Sequence, residues 1–163
     1  MNTIPIVTLL MLFTFPDVSL QAELYSFSTP VGPGGGDSFT LSGDGPITAI
    51  RVWERYSNYF TGIQFRYGPI WSPVVGKEEG TAKEILLYKD ETIIQVSGKY
   101  TNVLQSIVFV TSKGRTLHAG QPRGTTFNMY ADSKETQLRL LSGQYRNGFT
   151  FFGSHWGVPH YYL

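Results

Sequence analysis

Three consecutive glycines, Gly34–Gly36, are the residues whose type and spacing most directly suggest chemistry in this sequence. Because glycine has no Cβ, a ligand can approach the backbone there and meet bare N–H donors, which suit sugar hydroxyls. The cluster lacks the Lys-Ser/Thr pair and the helix pattern that follow the glycines of a phosphate-binding loop. A tight turn that carries no ligand is the alternative, and the glycines alone leave both interpretations open.

The rest of the sequence offers no catalytic or metal-binding motif. It contains no Cys, no Gly-x-Ser-x-Gly and no His-Glu-x-x-His, and its three histidines, His118, His155 and His160, lack acidic partners at ligand spacing. We therefore expect no enzyme, no cofactor and no metal site. A net charge of +1 over 163 residues gives no electrostatic reason to bind nucleic acid.

Short strands joined by tight turns must position these residues. The sequence is 15% aromatic and contains 18 Gly and 9 Pro, many between apolar runs, and its length fits one domain with one core. No helix pattern or linker interrupts it. The predicted strands lie near Leu24–Ser28, Ser38–Leu41, Ile47–Glu54, Phe60–Tyr67, Ile70–Val75, Glu84–Tyr88, Thr92–Ser97, Leu104–Thr111, Arg115–His118, Thr125–Tyr130, Gln137–Ser142 and Phe149–Trp156.

A threefold repeat organises these strands. The tripeptide Tyr-x-Asn occurs three times, at steps of 44 and 45 residues, and a large apolar residue follows each Asn by five positions. Such a period predicts three four-stranded sheets around one core, with three equivalent loops at which binding can occur. The tyrosines can equally buttress their own turns. The landmarks are Tyr56–Asn58, Tyr100–Asn102, Tyr145–Asn147, Ile63, Ile107 and Phe152.

The N-terminal segment predicts a secreted product. Ile6–Phe15 is a short apolar run, too short for a membrane span, and Pro16 and a more polar stretch ending at Ala22 follow it. We expect a signal peptide over residues 1–22 and a single mature domain over residues 23–163. The absence of Cys would also fit a cytosolic protein, and an ordered N-terminal core strand is the alternative for the apolar run.

Several segments together resemble the jacalin-related lectins, and in particular the animal zymogen-granule-lectin-like branch of the salivary demilune and parotid secretory type. This resemblance implies an all-β protein with the β-prism I fold, three four-stranded sheets with internal pseudo-threefold symmetry. It also implies a carbohydrate-binding protein of an exocrine, salivary-type secretion, released through secretory granules. The segments that carry it are Gly32–Gly36, Gly45–Val52, Arg66–Gly68, Ile94–Tyr100, Val108–Arg115 and His155–Trp156.

The resemblance also implies a carbohydrate site built from three loops. The family's last loop follows the pattern Gly-x-x-x-Asp, and its Asp accepts hydrogen bonds from two sugar hydroxyls. Here Arg146 replaces the Gly and Thr150 replaces the Asp, so we expect weak binding of neutral mannose or galactose and a bias toward anionic or complex glycans. The implied carbohydrate-binding residues are Gly34, Gly35, Gly36, Lys99, Tyr100, Thr101, Asn102, Arg146, Asn147, Gly148, Phe149 and Thr150.

Two functions remain open at this point. The first is a secreted protein that binds glycans or glycoproteins of mucins, microbes or a granule matrix. The second is a prism scaffold without sugar binding that engages a protein receptor as a secreted interaction or signalling factor. Neither hypothesis involves nucleic acid or a transmembrane segment.

Overall fold

The computed structural model describes residues 25–55 and 58–158, which form thirteen strands. The predicted signal peptide, Tyr56, Ser57 and His160 lie outside the described residues. No described residue belongs to a helix that is long and apolar enough to cross a membrane. The strands are β1 Tyr25–Phe27, β2 Asp37–Leu41, β3 Ile47–Glu54, β4 Phe60–Tyr67, β5 Ile70–Trp71, β6 Val75–Gly76, β7 Thr81–Leu86, β8 Ile93–Tyr100, β9 Leu104–Thr111, β10 Thr116–Gly120, β11 Thr125–Tyr130, β12 Gln137–Tyr145 and β13 Phe149–Gly157.

The strands pair into three antiparallel sheets, as the repeat predicts. Sheet A has the order β1-β13-β12-β2, sheet B has the order β5-β4-β3-β7 with β6 also paired to β4, and sheet C has the order β10-β9-β8-β11. Sheets B and C each use one contiguous part of the sequence. Sheet A combines the first two described strands with the last two.

The predicted strand Ile70–Val75 is wrong, because two strands of two residues each, β5 and β6, replace it. Pro73 lies between them and has no N–H to donate to a sheet. β7 also begins earlier than predicted, at Thr81, where it pairs with the last residue of β3.

One core fills the space between the three sheets. The apolar residues that follow the three Asn positions, Ile63, Ile107 and Phe152, lie on β4, β9 and β13 and are all buried. Each occupies the same place in its own sheet, which confirms the pseudo-threefold arrangement. Their cross-strand partners are Val52, Gly98 and Gly143.

Polar side chains join the sheets to one another at the edges of this core. The Tyr67 hydroxyl of sheet B lies 2.9 Å from the carbonyl oxygens of Leu41 and Arg139 in sheet A. Its one proton donates to either carbonyl, and burial raises the pKa of Tyr67, so the phenol stays protonated. In sheet B, Glu54 pairs with Lys83 at 2.5 Å and accepts the Gly120 N–H of sheet C at 2.7 Å.

Candidate functional site

The three loops implied to bind carbohydrate meet at one end of the prism. We call residues 32–36 the glycine loop, residues 101–103 the β8–β9 turn and residues 146–148 the β12–β13 turn. A Cβ added at Gly148 would lie 2.9 Å from Val103, so the two turns touch. A Cβ added at Gly36 would overlap the Tyr145 carbonyl, so the glycine loop lies directly against the end of β12.

The glycine loop adopts backbone conformations that only glycine tolerates well. Gly34, Gly35 and Gly36 have φ angles of 80°, 101° and 121°. Two of their three N–H donors already bind within the protein: Gly34 donates to the Thr150 carbonyl at 3.0 Å and Gly35 donates to Gln144 Oε1 at 2.6 Å. Within the described residues, only the Gly36 N–H of the three has no partner.

Thr150 holds the glycine loop in place. Thr150 is 9% exposed, and its hydroxyl lies 2.6 Å from the Gly35 carbonyl oxygen and 3.1 Å from that of Gln144. Since a hydroxyl has one proton, it donates to these two carbonyls in turn or shares it between them. The Thr150 hydroxyl therefore connects the glycine loop to the end of β12.

Replacing Thr150 by Val should weaken the attachment of the glycine loop to the end of β12. The change keeps the shape of the side chain but leaves two carbonyl oxygens without their donor, which we expect to cost about 1–2 kcal/mol of stability. Urea unfolding measures that cost, and amide exchange at Gly34 should become faster. Thr40→Val, the same change at an exposed position on β2, is the matched control. Unchanged exchange at Gly34 in Thr150→Val would show that the hydroxyl does not hold the loop.

The two described tyrosines of the repeat support their own turns. Tyr100 lies 6.4 Å from the ring of Phe127, and Tyr145 lies 5.1 Å from the ring of Phe149, measured between ring centroids. Both tyrosines pack against the core. This geometry favours the buttressing role over stacking on a sugar.

The remaining predicted site residues differ in how far they are exposed. Thr101, Asn102, Arg146 and Asn147 are exposed, Lys99 is half-buried, and Gly148 and Phe149 are buried. Phe149 belongs to the core at 1% exposure, so its side chain cannot reach a ligand. Asn147 has a φ of 54°, the left-handed turn conformation expected of an Asn-Gly pair.

A shallow pocket of about 410 Å³ lies between the glycine loop and the β12–β13 turn. It is lined by Gly36, Asp37, Tyr145, Arg146 and Asn147. Lys99 and Tyr100 lie at the end of β8, Thr101 and Asn102 lie in the β8–β9 turn, and none of the four lines this pocket. Sequence reasoning missed Asp37, although its place directly after the glycine cluster was the available signal.

No metal centre is found in this part of the molecule. Within residues 25–55 and 58–158, no three His, Cys, Asp or Glu side chains are grouped so that they could hold a metal ion. His155 instead lies 2.7 Å from the Ser142 hydroxyl and meets Phe27 edge-to-face, and burial lowers its pKa.

Comparison with known proteins agrees with this architecture. A family model of the jacalin-like lectin domain matches residues 28–154. Zymogen granule membrane protein 16 of Homo sapiens is 45% identical over 144 residues, which cover 86% of this chain and 85% of the relative. Prostatic spermine-binding protein of Rattus norvegicus is 35% identical over 120 residues, which cover 72% of this chain and 43% of the relative.

Two solved structures illustrate the same fold. A prostate-specific WGA16 glycoprotein lectin matches with a TM-score of 0.72 and 32% identity, and the match covers 83% of this chain and 100% of that one. Single-chain recombinant jacalin matches with a TM-score of 0.71 at 20% identity, covering 86% of this chain and 99% of that one. This chain, with its three-sheet β-prism I fold, therefore belongs to the jacalin-like lectin family.

Proposed function

We propose that this protein is a secreted carbohydrate-binding protein of an exocrine secretion and that it binds glycans without catalysing their conversion. The observation that carries the proposal is the polar pocket between the glycine loop and the β12–β13 turn, in a chain that belongs to a lectin family. Exposed side chains, a glycine backbone and a shallow shape suit a hydroxyl-rich ligand.

The secretory route has two supports. Relatives of human, rat and mouse origin that are 42–45% identical carry the name zymogen granule membrane protein 16. The sequence also predicts a signal peptide over residues 1–22, so N-terminal sequencing of secreted material should begin near Glu23. Glycans of mucins, microbes or a granule matrix are the partners that such a route would supply.

The charge of the pocket refines the expected ligand. Arg146 favours an anionic glycan, but Asp37 lines the same pocket, so the two charges offset each other. We therefore place a neutral sugar in the pocket. Where the glycan also carries an anionic group, that group lies on the Arg146 side and its attraction is screened over about 8 Å at physiological salt.

A glycan array of the native protein tests this function. Neutral, sulfated and sialylated glycans should be included, with parallel measurements in EDTA and in high salt. We expect binding to part of the array that EDTA does not change, because no acidic cluster suited to Ca²⁺ lies among the described residues. Binding to no glycan, or binding that EDTA abolishes, would contradict the proposal.

The second candidate is a prism scaffold that binds a protein receptor and no sugar. It is favoured by the glycine loop, in which the protein itself occupies the N–H groups of Gly34 and Gly35 and the hydroxyl of Thr150. A folded protein that binds no glycan on the array would favour this candidate.

A further inference from the structure

We propose that the Asp37 carboxylate accepts the hydrogen bonds of two adjacent sugar hydroxyls, in place of the loop Asp that Thr150 replaces. The inference rests on the proposed glycan-binding function and identifies the residue that recognises the sugar. It moves the acceptor from the β12–β13 hairpin to the first residue of β2, on the opposite wall of the same pocket.

The fold holds Asp37 at the pocket. Asp37 begins β2 and pairs with Tyr145, the last residue of β12. Directly before it, Gly36 lies so close to the Tyr145 carbonyl that no side chain fits between them. This backbone contact fixes the position of Asp37 beside the β12–β13 turn, and its side chain remains exposed.

Asp37 makes no ion pair, in contrast to five of the ten acidic residues in the part of the chain that the structure describes. Among the described residues, its carboxylate makes no hydrogen bond and no ion pair, not even with Arg146 across the pocket. Both charged groups are therefore available to a ligand. The acidic residues that do pair with Lys or Arg are Glu54, Glu79, Glu84, Asp90 and Glu91.

The Asp37 carboxylate supplies a strong hydrogen-bond acceptor, which the pocket otherwise lacks. The Thr150 hydroxyl donates its one proton to backbone carbonyls, and Thr150 is only 9% exposed and does not line the pocket. A carboxylate has two oxygens with about four acceptor positions, so it can take hydrogen bonds from two neighbouring hydroxyls. Such charge-assisted bonds are roughly twice as strong as neutral ones.

The same pocket also provides the matching donors. The N–H groups of Gly36 and Asn147 have no backbone or side-chain partner within the part of the chain that the structure describes. The Arg146 guanidinium adds further donors and makes no ion pair there. One acceptor facing several donors fits a neutral hexose with two adjacent free hydroxyls, and it disfavours a ligand that presents its own carboxylate to Asp37.

The experiment compares Asp37→Asn with native protein against methyl glycosides of mannose, galactose, glucose and N-acetylglucosamine and against the glycans bound on the array. Asparagine keeps the shape but loses the charge and one acceptor oxygen, so affinity should fall about 10-fold or more. In native protein, the amide resonances of Gly36 and Asn147 should shift on titration. Asp132→Asn, the same change at an exposed residue of the opposite end of the prism, should bind like native protein.

The outcomes separate the two proposals. Native protein that binds glycans, with Asp37→Asn equally tight, would refute the role of Asp37 and leave glycan binding intact. Native protein that binds none of these probes would overturn the proposed function and this inference with it. Should Asp37→Asn unfold, Asp37→Ser serves as the second neutral variant, and thermal unfolding establishes which variants are folded.

Discussion

Replacing Gly143 by Ala is expected to destabilise the protein by at least about 3 kcal/mol, beyond the usual range for a single added methyl group. Gly143 lies in the middle of β12 and pairs with Phe152. A Cβ there would overlap the Phe151 carbonyl and lie 3.0 Å from the Phe39 ring. Since the first obstacle is backbone of the central strand pair in sheet A, a rotamer change cannot relieve it.

Two other glycines provide the comparison. Gly98 occupies the equivalent position in sheet C, where a Cβ would overlap the Ser106 carbonyl, so Gly98→Ala should be similarly costly. Gly114 has a φ of 76° and open space around it, so Gly114→Ala should cost only the conformational strain of about 1–2 kcal/mol. Urea unfolding measures all three. If Gly143→Ala loses no more unfolding free energy than Gly114→Ala, the backbone of sheet A must move to accommodate the methyl group, contrary to this prediction.

Replacing Arg115 by Met is the second change with a large expected effect. The Arg115 guanidinium binds both carboxylate oxygens of Glu91, whose side chain is 0% exposed, and donates to the Leu86 carbonyl at 2.6 Å. Methionine removes the charge and leaves Glu91 buried without its cation. We expect a loss of about 3 kcal/mol at pH 7, the lower end for a broken buried pair because the Arg115 side chain is 34% exposed.

The pH dependence of this loss identifies its cause. Hydrogen bonds from Arg115 lower the pKa of Glu91 to about 2, so the native pair stabilises the protein above about pH 4.5 and the contribution is lost as pH falls toward 2. In Arg115→Met, burial without a cation raises the pKa of Glu91 instead. The difference in unfolding free energy between native and variant should therefore shrink in acid.

An exposed neighbour provides the control for this second prediction. Lys113 pairs with Asp90 at 2.5 Å, and both side chains are exposed, so Lys113→Met should change stability little. Unfolding of the three proteins by urea between pH 3 and 7 makes the comparison. A loss in Arg115→Met that stays constant across this range would show that lost packing, and not the charge of Glu91, is responsible.

The sheets were predictable from the sequence because strands and turns are determined mainly by residues that are close together in the sequence. Alternation and turn residues placed the strands, and the repeat correctly marked Ile63, Ile107 and Phe152 as equivalent core positions. The first Tyr-x-Asn copy is less equivalent than its spacing suggests. β3 ends at Glu54, two residues before Tyr56, and five residues separate β3 from β4, whereas three separate the corresponding strands of the other copies.

The candidate site was less predictable because its contacts join distant parts of the sequence. The Thr150 hydroxyl meets the Gly35 carbonyl across 115 positions, and no local spacing reveals that this hydroxyl is already occupied. The hydrogen bond from the Gly35 N–H to the Gln144 side chain likewise joins residues that are 109 positions apart. Asp37 became a candidate only once the pocket showed which wall it occupies.

The composition of sheet A also sets when the pocket can form during synthesis. Sheets B and C use residues 47–86 and 93–130, so each can pair soon after it leaves the ribosome. Sheet A cannot be completed until β13 has been synthesised, because β1 pairs directly with that strand. Since long-range pairing is slow relative to local pairing, the two walls of the pocket come together last. A nascent chain thus contains most of the core residues, which lie in sheets B and C, before the two walls of the pocket are joined.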